Sequence, residues 1–176
     1  MEKVTPDPQR QQTKLSAPVP LTADHDLYDF DCGTPILNDW LKHRALQNES
    51  RFSRTYVVCD GNRVAAYFCI SAGAVERAAA PGKIRRNAPD TIPVSVIGRL
   101  AVSRDYAGRG LGADILADAL RRIAIASQSI GIGAVLVHAK DDQAKRFYMA
   151  CAEFIEYPQD NRTLFLPIET VIAAFG

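Results

Sequence analysis

The stretch Ile97 to Leu116 reads I-G-R-L-A-V-S-R-D-Y-A-G-R-G-L-G-A-D-I-L and joins an apolar run to a helix through three alternating glycines. Leu100, Ala101 and Val102 follow the β-favouring Val94, Val96 and Ile97, which predicts a mostly buried strand. Beyond the glycines, Leu111, Ile115, Leu116, Ala119, Leu120, Ile123 and Ile130 recur at the spacing of one helix face. Gly108, Gly110 and Gly112 therefore stand at a helix entry. There glycine lets unpaired backbone N–H groups approach a ligand with no side chain between them. Those groups and the positive end of the helix dipole favour phosphate oxygens, and Arg109 adds a formal charge. The plainer alternative is a turn that only lets a strand meet a helix.

Spacing narrows the ligand. Gly108, Gly110 and Ala113 satisfy a G-x-G-x-x-A dinucleotide fingerprint, which requires an acidic residue ~20 positions on, at the end of the next strand. Here that region reads Gly131-Ile132-Gly133, and the next apolar run, Ala134 to Val137, ends at His138. The acid is missing. The motif also starts past the middle of the chain, leaving too little sequence for paired mononucleotide-binding halves.

The loop A-G-R-G-L-G-A, Ala107 to Ala113, resembles the acetyl-coenzyme A loop of the GNAT N-acetyltransferase family, written Q/R-x-x-G-x-G/A. Gly110 and Gly112 match its glycines, and Ala107 stands where Gln or Arg is usual. The resemblance implies that backbone groups of Leu100, Ala101 and Val102 hold the pantetheine arm on a splayed strand. It also implies that Ala107, Gly108, Arg109, Gly110, Leu111, Gly112 and Ala113 hold the pyrophosphate. Downstream, A-K-R-F-Y resembles the family's A-x-x-F-Y element. Its tyrosine, Tyr148, would lie by the thioester sulfur as the catalytic residue. A phenol with pKa ~10 can protonate or hydrogen-bond a departing thiolate. Without the loop, Phe147 and Tyr148 read first as an aromatic pair packing a helix on a sheet; the loop reverses that preference.

Further motifs point to one branch. R-R-N-A-P-D-T-I-P-V (Arg85 to Val94), G-R-L-A-V, V-H-A, R-T-L-F-L (Arg162 to Leu166) and D-C-G-T-P-I-L-N-D-W-L-K (Asp31 to Lys42) resemble acetyltransferase toxins of bacterial type II toxin–antitoxin systems. That resemblance implies acetyl transfer from acetyl-CoA to the α-amino group of aminoacyl-tRNA, blocking translation, and neutralisation by a ribbon-helix-helix antitoxin. A homodimer is compatible with a partner as large as tRNA. One departure follows Tyr148: Ala152 and Glu153 stand where the family has Gly and Phe, which bears on loop geometry near the active site.

Composition permits this reading. The 176 residues are 47% hydrophobic, enough for one domain with a substantial core. No run of 18 or more apolar residues and no signal peptide is present, so a soluble cytoplasmic protein is expected. Cys32, Cys59, Cys69 and Cys151 lack C-x-x-C spacing and His25, His43 and His138 are scattered, so no metal site is expected. His138, at a strand end near the cofactor, reads as a proton carrier or a structural residue.

Net charge is only +1, yet seven basic residues against three acidic ones lie between Glu76 and Arg109. Such asymmetry can make a positive face on a near-neutral protein. Arg85 and Arg86 are the first candidate tRNA contacts, with Lys42, Arg44 and Arg99 as weaker ones. A solvated loop with incidental charge is the alternative, and the same loop could receive an acidic antitoxin tail.

The pattern predicts a flexible N-terminal arm over residues 1–20 and one domain over 21–176. Within it come a helix opening at Thr34-Pro35, a hairpin turning at Asp60-Gly61-Asn62, the cofactor strand, the long helix, the Tyr148 helix, a closing strand pair and a C-terminal helix. The fold class is α+β, with one mixed, largely antiparallel sheet flanked by helices. No Glu or His occupies an obvious base position on the splayed strands, so the expected mechanism is direct attack by the aminoacyl amine, water taking its proton. Two other functions share parts of this pattern: an acetyltransferase for a small-molecule or protein amine, and a non-catalytic binding module.

Overall fold

The computed structural model describes residues 14–157 and 159–176. Seven strands form one sheet: β1 (Val19–Pro20), β2 (Arg54–Asp60), β3 (Arg63–Glu76), β4 (Thr91–Val102), β5 (Ala134–His138), β6 (Ile155–Tyr157) and β7 (Asp160–Pro167), in the order β1-β2-β3-β4-β5-β7-β6. Every pairing is antiparallel except β4 with β5. A parallel pair needs a crossover, which the long helix α4 (Leu111–Ala126) provides. The other helices are α1 (Pro35–His43), α2 (Ala45–Glu49), α3 (Gly82–Arg85), α5 (Asp142–Cys151) and α6 (Ile168–Phe175). This is the expected α+β architecture.

Period-two alternation along the strands builds separate cores on the two faces. Phe68, Val135, Val137, Leu164 and Leu166 pack with Ile115, Leu116, Leu120 and Ile123 of α4, with Tyr148 of α5 and with Ile168 and Val171 of α6. On the opposite face, Val57 and Tyr67 meet Phe30, with Leu41 of α1 and Ala45 of α2. Further along that face, Val94, Leu136 and Phe165 meet Ile84 of α3.

Two features of β4 position the site. It pairs with β5 only from Val94 to Ile97, opposite Ala134 to Val137, so Arg99 to Val102 are paired on the β3 side alone. The two strands part at Gly98. At the same point Ile70 faces Ile97 and Cys69 faces Arg99, leaving Gly98 as the extra residue of a bulge. One extra residue exchanges the faces of everything beyond it. Ile97, Leu100 and Val102 accordingly all pack on the α4 side, whereas Ala101 joins the α1 side.

Some expectations need correction. Residues 14–20 do not form a free arm: Leu15 bridges Asp60, and Val19 and Pro20 pair with Val57 and Tyr56. The rest of that arm, 1–13, lies outside the described residues. Ile130 is 59% exposed and beyond α4. The helix ends at Ala126, where the Ser127 hydroxyl donates to the Ala124 carbonyl at 2.6 Å and the glycines at 131 and 133 follow. Thr34 precedes α1 with extended backbone but makes no side-chain cap; Pro35 does occupy the first turn.

Candidate active site

The parting of β4 from β5 opens onto the glycine loop. A short 3-10 turn, Arg104–Tyr106, leads into it, and Tyr106 anchors the turn by donating its hydroxyl to Asp60 Oδ2 at 2.7 Å. Gly108 and Gly110 have φ of 77° and 76°, values that L side chains avoid. A Cβ on either would meet nothing within 4 Å, so backbone conformation, not crowding, requires glycine there. Gly110 is the residue before α4. Gly112 has a different reason: its Cβ would come within 3.4 Å of the Phe147 ring. The first-turn N–H groups of Leu111, Gly112 and Ala113 have no intrahelical acceptor, while Asp114 N already bonds the Gly110 carbonyl at 3.2 Å.

A cavity of about 460 Å³ runs from this helix end along the end of β4 to α5. Leu100, Ala101 and Val102 form one wall, Ala107, Gly108, Gly110, Leu111 and Gly112 the loop end, and Ala144, Phe147 and Tyr148 of α5 the other wall. Two of the sequence candidates stand back from it. Arg109 lies with its guanidinium 5.5 Å from the Tyr106 ring centre and donates to the Asp105 carbonyl at 3.4 Å. Ala113 can contribute only its N–H. Cys32 and Leu37 join the lining from the α1 side, a contribution with no local signal in the sequence.

Tyr148 is 7% exposed. Asp141 starts its helix by accepting from Ala144 N at 2.8 Å. Phe147 and Phe154 hold the Tyr148 ring edge-on, with centroids at 5.3 and 5.8 Å. Burial pushes the phenol up to about 12, with Cys69 and Cys151 nearby acting in the same direction. No protein hydrogen bond to its hydroxyl occurs among the described residues. The departure at Ala152 and Glu153 is accommodated simply. Ala152 ends the helix in extended backbone, φ −157°, so no glycine is needed, and Phe154, one residue later, supplies the aromatic contact.

Four of the candidate tRNA contacts lie on the sheet face opposite α4. Arg85 and Arg86 are exposed at the end of α3. Lys42 is exposed in the last turn of α1, beside a second cavity of about 450 Å³ whose lining includes Asp29, Asp31 and Arg104. Arg99, turned to this face by the bulge, stacks its guanidinium 4.2 Å from the Trp40 ring centre. Trp40 in turn stacks on Tyr67 at 6.0 Å. Lys140 Nζ donates to Thr34 Oγ1 at 2.6 Å, tying the β5–α5 loop to the start of α1. Residues 106 positions apart leave no trace of such a pairing in sequence.

No group of three or more His, Cys, Asp or Glu side chains able to hold a metal occurs among the described residues. No helix there is long and apolar enough to cross a membrane.

Residues 21–154 match the acetyltransferase (GNAT) family. The chain is 41% identical over 162 residues to a tRNA-acetylating toxin of Mycobacterium tuberculosis, covering 92% of this chain and 97% of that one. The solved structure of AtaT complexed with acetyl-methionyl-tRNAfMet superposes with a TM-score of 0.84 at 31% identity, over 93% of this chain and all of that one. A tyrosine-to-phenylalanine mutant of AtaT, bound to acetyl-CoA and the C-terminus of the antitoxin AtaR, gives 0.79 at 30% identity, covering 92% and 98% of the two chains. A glycine-built helix entry, a β4 that parts from β5 and a buried tyrosine on the following helix thus agree with the sequence matches: the chain belongs to the acetyltransferase (GNAT) family.

Proposed function

We propose that this protein transfers the acetyl group of acetyl-CoA to the α-amino group of aminoacyl-tRNA, blocking translation as the toxin of a toxin–antitoxin pair. One observation carries the reading: a single cavity connects the unpaired N–H groups at the start of α4 with the buried Tyr148, along strand residues whose hydrogen-bonding edge is free of β5. The diphosphate would sit on Leu111, Gly112 and Ala113 N–H. The pantetheine amides would pair with the β4 edge at Leu100 to Val102, as a strand would. The thioester would then lie beside Tyr148.

The hydroxyl's role follows from its acidity. An ordinary thiol ionises near pKa ~8.5, well below the Tyr148 phenol at about 12. Full proton transfer to a departing thiolate is therefore uphill. Tyr148 acts by donating a hydrogen bond to the developing negative charge, which a water-poor site strengthens. An α-amino group, with pKa ~7.7–8.0, is partly neutral at physiological pH, unlike a lysine amine at ~10.4. Arg85, Arg86, Lys42 and Arg99 would meet the tRNA backbone on the face opposite α4.

The same reading includes a ribbon-helix-helix antitoxin, supported by resemblance to the toxin branch, a homodimer, supported by the size of tRNA, and a cytoplasmic location, where charged tRNA is found. The test is incubation with acetyl-CoA and a complete set of charged tRNAs, with mass spectrometry of the amino acids released. N-acetylated product from at least one tRNA is expected. A full set without adducts, alongside acetylation of small amines or protein, would replace this reading with an ordinary acetyltransferase.

A further inference from the structure

His138 is the last residue of β5, one position past the last pair between that strand and β4, Val137 with Ile97. Val135 and Val137 point to α4, and Ala134 and Leu136 to the opposite face. Alternation puts His138 on that opposite face, the side of Arg99 and Trp40, where β4 and β5 separate. It is exposed. Its Nδ1 lies 3.0 Å from Thr163 Oγ1, and Thr163 is its cross-strand partner on β7. Thr163 Oγ1 donates to Asp160 Oδ2 at 2.7 Å. Asp160 is held below the usual carboxylate range by the Thr163 hydroxyl first, then the Arg162 N–H, with His138 adding a smaller charge effect. It is therefore ionised and acts only as an acceptor.

A hydroxyl has one proton. Because Thr163 gives its proton to Asp160, it can only accept from His138, so Nδ1 carries the hydrogen and Nε2 of the neutral ring has a free lone pair. No protein partner for Nε2 occurs among the described residues. Charged side chains on the flanking elements have partners of their own. Arg162 pairs with Asp142 at 3.5 Å, Lys140 with Thr34, Lys145 with Glu156 at 2.9 Å, and Arg99 stacks on Trp40.

From this geometry we infer that His138 Nε2 is the proton acceptor for the attacking amine, with Thr163 and Asp160 as the positioning residues that fix its tautomer. The inference rests on the acetyl-transfer reading above. The amine nitrogen bonds to the thioester carbonyl carbon and becomes an ammonium. Its proton passes to His138 Nε2, the C–S bond breaks, and the thiolate departs hydrogen-bonded to Tyr148. Solvent then protonates the thiolate and takes the proton from the imidazolium, so the sum is amide plus free thiol. Removing the ammonium proton matters because the protonated nitrogen is otherwise a better leaving group than the thiolate. Sequence alone left this residue between a proton carrier and a structural role, because its partners Thr163 and Asp160 lie on another strand.

The experiment compares wild type, His138→Gln and Thr163→Val in acetylation of charged tRNA from pH 5.5 to 9. Acetyl-CoA affinity is measured by calorimetry, and 15N NMR of the imidazole is recorded on the free wild-type and Thr163→Val proteins. In the wild type both amine and imidazole must be neutral, so log kcat/KM should rise with a limiting slope of about 2 on the acid side. His138→Gln should reduce kcat by ~100-fold and lower that slope to about 1, with acetyl-CoA affinity unchanged. Thr163→Val should reduce kcat several-fold and release the second tautomer in the NMR spectrum. The proposal is overturned if His138→Gln stays within about twofold of wild type with the same slope, or if Nε2 is the protonated nitrogen in free wild type. If wild type gives no product with any charged tRNA, the functional reading fails instead, and the NMR result still decides the relay.

Discussion

Gly110→Ala isolates the claim that the loop is built by backbone conformation. Gly110 has φ 76° and ψ 8° with open space where a Cβ would stand, so the added methyl meets no atom and only the left-handed conformation is penalised, by ~1–2 kcal/mol. For a chain of this size ~1 kcal/mol corresponds to ~2–4 °C in Tm, giving an expected loss of ~2–8 °C. Relief of the strain by rotation about φ would also re-aim the N–H groups of residues 111–113. At acetyl-CoA 100-fold above Kd the wild type should gain ~2.7 kcal/mol. Loss of one hydrogen bond to a charged oxygen, worth ~1.5 kcal/mol, would reduce that gain to roughly half at the same concentration. Gly112→Ala is the internal control. It has no positive φ, and the helical gain of alanine over glycine, ~1 kcal/mol, opposes a slight push on the Phe147 ring, so its Tm should stay close to wild type. The assay is thermal unfolding with and without acetyl-CoA. Equal Tm and equal ligand shift for Gly110→Ala and wild type would refute the argument.

Further outcomes follow from the same geometry. Tyr148→Phe should lower kcat at least tenfold while leaving Tm within a few degrees, because the hydroxyl has no protein partner to lose; unchanged turnover would remove its catalytic role. Raised from 10 to about 12 by burial, the Tyr148 phenol contributes stability present below pH 10 and lost between pH 10 and 12, since the unfolded chain ionises first. Denaturant unfolding of Tyr148→Phe should therefore fall less steeply than wild type across that window. Arg85→Ala combined with Arg86→Ala should raise KM for charged tRNA and flatten its salt dependence by ~1–2 log units per log unit of salt. Acetyl-CoA affinity should not change; a KM effect independent of salt would contradict phosphate contact.

The parts of the site that were legible in the sequence are those encoded locally. Three glycines before an amphipathic run fix the loop, because left-handed backbone and a helix entry each carry a residue signature. Tyr148 lies on a short helix whose motif is contiguous. The bulge at Gly98 was not legible, since two residues facing one is a property of the pairing with β3, and β4 alone reads as an uninterrupted strand. The bulge nonetheless decides that Arg99 reaches Trp40 and that Leu100 and Val102 face the cavity. The His138, Thr163 and Asp160 chain, the Lys140–Thr34 tie and the ordering of residues 14–20 along β2 likewise depend on partners distant in sequence. The period of α4 was overextended to Ile130 because apolar spacing continues past the point where serine and glycine end the helix.

On the function proposed above, the cavity between β4 and α5 delivers acetyl groups to the amine of an aminoacyl ester. The most direct test of that claim is a single-turnover reaction with acetyl-labelled acetyl-CoA, offered charged tRNA and the same tRNA stripped of its amino acid. Label should appear only on the charged tRNA, be released by mild base as the N-acetyl amino acid, and fall sharply with Tyr148→Phe. Label on the stripped tRNA or on the protein itself, or equal labelling by the Tyr148→Phe variant, would contradict it.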